Sequence, residues 1–143
     1  MEDAKVLDLF AGSGALAIEA LSRNAKYAVI NDMDKEAITT INENINKTRL
    51  QDKVKITQLD YKRLLSKLQG EKFDIIFIDP PYAKDMKVEA IKKISEYELL
   101  KTDGIIVLET DNKENIPEIL GEYKMYDQRK YGRVKLCLFA GKG

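Results

Sequence analysis

The stretch Phe73-Asp74-Ile75-Ile76-Phe77-Ile78-Asp79-Pro80-Pro81-Tyr82 decides the fold of this chain. Its apolar run, residues 73–78, is typical of a parallel strand that is buried on both faces. Pro80 has no N–H group for a sheet ladder, so we predict that the strand ends there. Because ligands bind at the carboxyl ends of strands in open α/β sheets, Asp79, Pro80 and Tyr82 are candidate site residues. Taken alone, the stretch also fits a strand end followed by a plain proline turn.

Composition limits the function classes that the 143 residues can serve. Lys plus Arg and Asp plus Glu both number 24, so any surface that attracts nucleic acid must be local. The absence of histidine excludes Ser-His and Cys-His catalysis and makes a zinc site unexpected. The one cysteine, Cys137, cannot form an internal disulfide and is predicted to be a core residue. The chain length suits one domain over residues 1–143, and the single cysteine suits a reducing cytoplasm. No apolar run is long enough for a membrane span.

Apolar segments alternate along the chain as strands and helices do in a parallel α/β sheet. Strands are predicted at residues 6–10, 28–30, 54–56, 73–78, 104–108, 123–128 and 134–139. Helices are predicted at residues 15–21, after the capping residue Asp34, around 64–68, around 88–94, and briefly from 115–117. Residues 84–87 are predicted to be a loop. The expected fold is α/β and Rossmann-like, with a mostly parallel seven-stranded sheet, helices on both faces and an antiparallel C-terminal strand pair.

A glycine turn follows the first predicted strand. Gly12, Gly14 and Ala17 form the pattern G-x-G-x-x-G/A between a strand and a helix. Asp32 follows about 20 residues later, where a ribose-binding acid belongs. Nicotinamide enzymes and S-adenosylmethionine (SAM) enzymes share this pattern nearly equally, and a tight turn with an acidic helix cap also explains it.

Asp8 distinguishes between the two cofactor classes. A carboxylate four residues before the glycines would repel the pyrophosphate of a nicotinamide dinucleotide. SAM carries an ammonium and a sulfonium group and no phosphate, so the same carboxylate would favour it. Asp32 is then expected to accept hydrogen bonds from the ribose hydroxyls. Asp60 is expected to accept one from the adenine amino group, with Tyr61 or Met33 against the ring.

Two motifs together resemble a known class of enzymes. Asp8-Leu9-Phe10-Ala11-Gly12-Ser13-Gly14 followed by Asp79-Pro80-Pro81-Tyr82 resembles the class I SAM-dependent methyltransferases that act on exocyclic amines. The longer stretch VLDLFAGSGALAIEALSR, residues 6–23, is similar to the RsmD family, bacterial guanine-N2 methyltransferases of 16S ribosomal RNA in the small subunit. The Asp32-Met33-Asp34 strand end and the Tyr131-Gly132 turn agree with that family, and the resemblance covers essentially the whole chain.

This resemblance implies a SAM-dependent RNA methyltransferase that releases S-adenosylhomocysteine and requires no metal. It implies cofactor contacts from Asp8, Phe10, Gly12 and Gly14, and a partner that is ribosomal RNA, naked or in an assembling ribosomal subunit. We expect a monomer that does not bind membranes. Family members carry an additional basic segment before the first strand, implicated in cofactor and RNA contact. Because five residues precede Val6 here, we expect the chain to lack that segment.

The expected chemistry depends on Asp79 and Pro80. The carboxylate of Asp79 and the carbonyl of Pro80 would each accept one hydrogen of the base amine, which frees the nitrogen lone pair for attack on the methyl group. Tyr82 would stack on the target base. An adenine-N6 methyltransferase needs the same acceptors and stays an alternative. A nicotinamide-dependent oxidoreductase and a non-catalytic binding domain also stay open.

Two groups of basic residues are candidate contacts for RNA phosphates. One group follows the proline tetrad and the other surrounds the Tyr131-Gly132 turn. They are Lys84 and Lys87 in the first, and Arg129, Lys130, Arg133 and Lys135 in the second. A polar loop and a solvated hairpin explain them as well, and we favour that interpretation.

Overall fold

One sheet organises the part of the chain that the computed structural model describes, residues 3–80 and 84–141. Its strands are β1 (Lys5–Asp8), β2 (Tyr27–Asn31), β3 (Val54–Thr57), β4 (Phe73–Ile78), β5 (Leu100–Asp111), β6 (Ile119–Leu120), β7 (Tyr123–Tyr131) and β8 (Val134–Gly141). The helices are α1 (Ala15–Ser22), α2 (Lys35–Thr48), α3 (Tyr61–Lys67) and α4 (Lys84–Glu96), with a short 3-10 helix at Gln51–Lys53. Of these helices, none is long and apolar enough to cross a membrane.

The strand order β3-β2-β1-β4-β5-β8-β7-β6 confirms the predicted Rossmann-like arrangement. Strands β1 to β5 pair in parallel, whereas β8 pairs antiparallel with both β5 and β7. The chain builds outward from β1 to β3 on one side and then continues from β4 on the other. The boundary between β1 and β4 is therefore the topological switch point at which such sheets bind ligands.

The prediction of seven strands was wrong by one, because residues 115–117 open no helix. Pro117 suggested a helix, because proline is favoured in the first turn. Gly121 instead adopts a left-handed φ of 61° and reverses the chain at once, so Leu120 pairs with Tyr123 in a tight hairpin. The short strand β6 results.

The prediction of a loop at residues 84–87 was also wrong, because α4 begins at Lys84. Lys87 lies on the buried side of this helix at helical spacing from Ile91 and Ile94, and all three side chains are buried. Because a lysine occupies this core-facing position, the first turn of α4 lacks the apolar residue that would have indicated a helix.

Helices cover both faces of the sheet, as predicted. On one face α3 and α4 pack over a core that includes Leu7, Ile76 and the predicted core residue Cys137. On the other face α1 and α2 pack over Val6 and Ile30. On the face opposite α3 and α4, side chains of β4, β5 and β8 are only partly buried near the edge where β4 and β5 end and β8 begins. They form the floor of a cavity there.

Candidate functional site

Three carboxylates meet where β1, β4 and β5 approach the switch point. Asp8 pairs in register with Phe77, while Asp79 and Glu109 each directly follow a registered pair of β4 and β5. Because side chains alternate between the two faces along a strand, this register places the three acids on one face of neighbouring strands. All three line a cavity of about 440 Å³, the carboxylate cavity, which also borders the glycine turn. The structure thus brings together the predicted residues Asp8 and Asp79 and adds Glu109.

Asp8 is the most unusual of these acids, because only 2% of it is exposed and its Oδ2 has no hydrogen-bond partner among the described residues. Burial, followed by the nearby charges of Asp79 and Asp32, raises the pKa of Asp8 to about 7, although the backbone N–H of Phe10 acts in the opposite direction. A buried acceptor without a partner is costly. Asp8 is therefore suited to a cationic group that enters from the cavity.

Asp79 has a similar pKa for a partly different reason. It is exposed by total surface, but its carboxyl group borders the carboxylate cavity. Burial of that group, a hydrogen bond shared with Glu109 and the charge of Glu109 raise the pKa of Asp79 to about 7, against the opposing charge of Lys87. Glu109 was not predicted, although it ends an apolar strand run just as Asp79 does.

Pro80 is buried and directly follows Asp79. Tyr82 lies outside the described residues, together with Pro81, so its stacking role stays a prediction.

The glycine turn takes the conformation that its sequence predicts. Gly12 and Gly14 have φ of 60° and 80°, which favours glycine. The backbone N–H of Gly12 donates to Oδ2 of Asp32 at 2.9 Å. A Cβ added at Gly12 would meet no atom within 4 Å, so the backbone is open to an approaching ligand, whereas one at Gly14 would lie 3.4 Å from Ile41.

A second cavity of about 130 Å³, the aromatic cavity, lies beside the first. It gathers most of the remaining predicted cofactor residues. Its lining consists of Phe10, Asn31, Asp32, Met33, Leu59, Asp60, Tyr61 and Met86. Phe10 also lines the carboxylate cavity, and its ring centroid lies 5.5 Å from that of Tyr61. The two cavities are therefore adjacent and share an aromatic wall.

Hydrogen bonds hold the acidic and aromatic side chains of this second cavity in place. Oδ1 and Oδ2 of Asp32 accept from the backbone of Asp34 and Gly12, both at 2.9 Å, and each oxygen keeps a lone pair for a further donor. Asp60 caps α3 by accepting from the N–H of Lys62. The hydroxyl of Tyr61 donates to Glu89 at 2.9 Å, so the orientation of its ring is fixed.

Asp34 has the structural role that the sequence predicted. Its side chain accepts from the N–H of Glu36 at 3.2 Å and caps α2, and it lines neither cavity. Asp34 therefore serves as a matched control for the acids of the site.

Asn31 was missed by the sequence analysis and supports both cavities. Its amide nitrogen donates to the carbonyls of Leu9 and Leu59 at 3.2 and 2.9 Å. Its amide oxygen accepts from the N–H of Leu59 and from the hydroxyl of Thr57 at 3.0 and 2.7 Å. These bonds join the chain segments that follow β1 and β3, from which Phe10 and Tyr61 reach the site. An asparagine at the end of a buried strand was the only available signal.

Two of the candidate phosphate contacts, Lys87 and Lys135, are each only 5% exposed. For these two residues both the phosphate role and the favoured interpretation as solvated residues are wrong. Nζ of Lys87 donates to the hydroxyl of Thr110 at 2.8 Å and pairs with Glu114 at 3.4 Å. Nζ of Lys135 donates to the carbonyl oxygen of Glu114. Because both side chains are buried and bonded within the protein, neither lysine presents its ammonium group to RNA. The side chain of Lys84, which opens α4, lies outside what the structure describes.

Comparisons with known proteins give one consistent result. The family model described as Conserved hypothetical protein 95 matches residues 1–140. A Bacillus subtilis protein with the name "Putative rRNA methyltransferase YlbH" is 37% identical over 140 residues, which are 96% of this chain and 76% of that protein. Ribosomal RNA small subunit methyltransferase D of Buchnera aphidicola is 32% identical over 97% of this chain and 72% of its own length. A solved structure of a conserved hypothetical protein from Streptococcus pyogenes is 34% identical, with a TM-score of 0.93 over 100% of this chain and 89% of that chain.

Proposed function

Since this chain belongs to the RsmD family, we propose that it transfers a methyl group from SAM to the exocyclic N2 amine of a guanine in small-subunit ribosomal RNA. The observation that carries this proposal is the placement of Asp8, buried and without a partner at Oδ2, in one cavity with Asp79. The first acid suits a cation, and the second lies where a neutral amine would meet an acceptor.

The described residues fit SAM at three points. Asp8 would receive the ammonium group, and the unused lone pairs of Asp32 would receive the ribose hydroxyls. The aromatic cavity, with Phe10 and Tyr61 in its wall, would hold the adenine ring. Bound SAM would supply a methyl group that its positive sulfur already activates. The carboxylates of Asp8, Asp32 and Asp79 would repel the pyrophosphate of a nicotinamide dinucleotide, which argues against an oxidoreductase.

The residues around Asp79 would orient the target amine. The ionised carboxylate of Asp79 accepts one amine hydrogen and the carbonyl of Pro80 accepts the other, so the nitrogen lone pair is directed at the methyl carbon. As the new N–C bond forms, the electron pair of the broken S–C bond stays on sulfur and the nitrogen becomes positively charged. The amine then loses one proton to Asp79, whose pKa of about 7 suits this transfer at neutral pH.

The nucleosides formed by the chain test this proposal directly. The purified chain is incubated with isotopically labelled SAM and either deproteinised small-subunit ribosomal RNA or assembling subunits, and the digested nucleosides are identified by mass spectrometry. We expect labelled N2-methylguanosine. Labelled N6-methyladenosine would replace the guanine assignment with the adenine alternative, since the Asp79 arrangement serves both amines.

A pair of matched variants assigns the role of Asp79. Asp79→Asn should lower kcat about 10²- to 10³-fold while SAM affinity stays near that of the wild type, because an amide oxygen is a weaker acceptor than a carboxylate and cannot take the amine proton. Asp34→Asn makes the same chemical change at a helix cap, where asparagine caps equally well, and should leave kcat unchanged. Full turnover by Asp79→Asn would refute the assigned role.

A further inference from the structure

The turn between β7 and β8 lies at the same edge of the sheet as the carboxylate cavity. In the antiparallel pair of β5 and β8, Asp111 opposes Val134 and Glu109 opposes Leu136. Strand β8 therefore begins where β5 ends, and the connecting turn at Gly132 projects beyond that edge. We name residues 129–134 the hairpin tip.

Register places part of the hairpin tip on the cavity side of the sheet. Arg129 opposes Leu136, and Tyr131 opposes Val134. Directly opposed residues share one face of an antiparallel pair, and Leu136 lines the carboxylate cavity, so Arg129 and Tyr131 lie on the cavity face. Three strand spacings separate Asp79, directly after β4, from Arg129 on β7, a distance of about 14 Å. About four stacked nucleotides span that distance.

The hairpin tip is exposed, aromatic and basic. Tyr131 is 60% exposed and Val134 is 36% exposed. Lys130 and Arg133 are exposed, and neither makes an ion pair with any residue that the structure describes. Arg129 pairs with Asp127 through Nε at 3.1 Å, and its two terminal nitrogens carry four further N–H donors.

The charge distribution around the carboxylate cavity explains why RNA binding would need these cations. The chain has no net charge, and three carboxylates line the cavity that a substrate base would have to enter. Phosphates of RNA would be repelled there, so binding requires an adjacent positive surface. Protection of an exposed edge strand would explain charged residues on β7, but it does not explain an exposed tyrosine among them.

We propose that the hairpin tip docks single-stranded RNA beside the methylated base. Arg129 and Arg133 bind phosphates, and Tyr131 stacks on an unpaired base a few nucleotides away. This inference rests on the proposed function, because it takes the cavity to be the site of methyl transfer.

Binding of RNA in the absence of SAM tests the hairpin tip. A fluorescently labelled transcript of small-subunit ribosomal RNA is titrated with the chain at several salt concentrations. Arg129→Gln/Arg133→Gln should reduce the slope of log K against log salt by about 1.4, because each lost phosphate contact removes about 0.7 on a single strand. Tyr131→Ala should weaken binding roughly 5- to 150-fold, the range that base–aromatic stacking supports.

A control double variant also removes two positive charges, but at another place on the surface. Lys26→Gln/Lys53→Gln changes two exposed lysines that border one surface cavity at the opposite edge, where β2 and β3 begin. We expect this pair to bind RNA as the wild type does.

The outcomes separate this inference from the proposed function. The inference is overturned if the tip variants keep wild-type affinity and salt slope, if the lysine control loses as much as they do, or if the wild-type chain binds no RNA. Failure of the proposed function is seen independently, as absence of SAM binding or of labelled N2-methylguanosine. Reduced RNA binding by the tip variants alone, with SAM affinity unchanged in calorimetry, supports the hairpin tip as the docking surface.

Discussion

Asp8→Asn tests whether the buried carboxylate at the end of β1 is maintained at the expense of stability. The pKa of Asp8 is raised from 3.8 to about 7, chiefly by burial. Each pKa unit corresponds to about 1.36 kcal/mol, so a shift of this size corresponds to about 4 kcal/mol. The folded protein binds this proton more tightly than the unfolded chain does. The resulting stabilisation is therefore complete below about pH 4 and is lost as the pH rises to 7 and above.

Asparagine does not ionise, so Asp8→Asn should remove this loss. The free energy of unfolding of the variant at pH 8 should exceed that of the wild type by about 1–3 kcal/mol. This is less than the full 4 because a buried amide without an acceptor costs about 1–3 kcal/mol. Near pH 4.5 the gain should disappear, since Asp8 is then protonated. Urea denaturation at pH 4.5, 6 and 8 measures both effects.

At pH 8, where Asp8→Asn should be more stable than the wild type, it should bind the cofactor more weakly. A charge-assisted hydrogen bond contributes about 1.5–3 kcal/mol, so Asp8→Asn should weaken SAM binding roughly 10- to 150-fold at pH 8 in calorimetry. Asp34→Asn, the matched control, should change neither quantity by much. The reasoning is refuted if Asp8→Asn keeps the pH dependence of wild-type stability, or if it binds SAM with undiminished affinity.

Three further substitutions test the surroundings of the two cavities. Glu109→Gln should lower the pKa of Asp79 from about 7 by about one unit. The ionised fraction of Asp79 at pH 6 would then rise from about a tenth to about a half, and the acidic limb of the kcat profile should move with it; an unmoved limb would contradict the pairing. Asn31→Ala should lower the free energy of unfolding by about 2–4 kcal/mol, because it leaves partners of four hydrogen bonds unpaired, and a loss below about 1 kcal/mol in urea denaturation would contradict that role. Gly12→Ala should cost about 1–2 kcal/mol in stability at a φ of 60°, and it should lower SAM affinity in calorimetry further if the turn approaches the cofactor; unchanged stability and affinity would contradict both expectations.

The parallel part of the fold was predictable because its signals are local. Strand β4 begins and ends where its apolar run does, and the glycines of the turn occupy left-handed conformations that their residue type allows. The start of α4 was not predictable in this way. Lys87 is accommodated in the core by Thr110 and Glu114, which lie 23 and 27 residues further along the chain. No local pattern around residue 87 contains that information.

The acids of the site differ in how clearly the sequence marked them as site residues. Asp8 interrupts an apolar strand and Asp79 precedes two prolines, so both stood out from their surroundings. Glu109 ends an apolar run in the same manner, although β5 continues to Asp111. No proline follows it, and only the register of β4 against β5 places it beside Asp79. Asn31 depends on four contacts to segments 22 to 28 residues distant. The roles of such residues depend on contacts that are distant in sequence, so they could not be predicted from local sequence patterns.

The separation of charge in this neutral chain bears on how a substrate would be selected. The carboxylate cavity opposes phosphate, and the hairpin tip attracts it, with about 14 Å between Asp79 and Arg129. While the phosphates of a strand stay on the tip, a nucleotide about four positions along that strand would present only its neutral base to the cavity. Under the proposed function, a base held in a helix would have to be turned out at a cost of a few kcal/mol, whereas an unpaired base would not. The electrostatics therefore favour methylation of unpaired nucleotides, and a transcript in which the target guanine is paired should react more slowly than one in which it is unpaired.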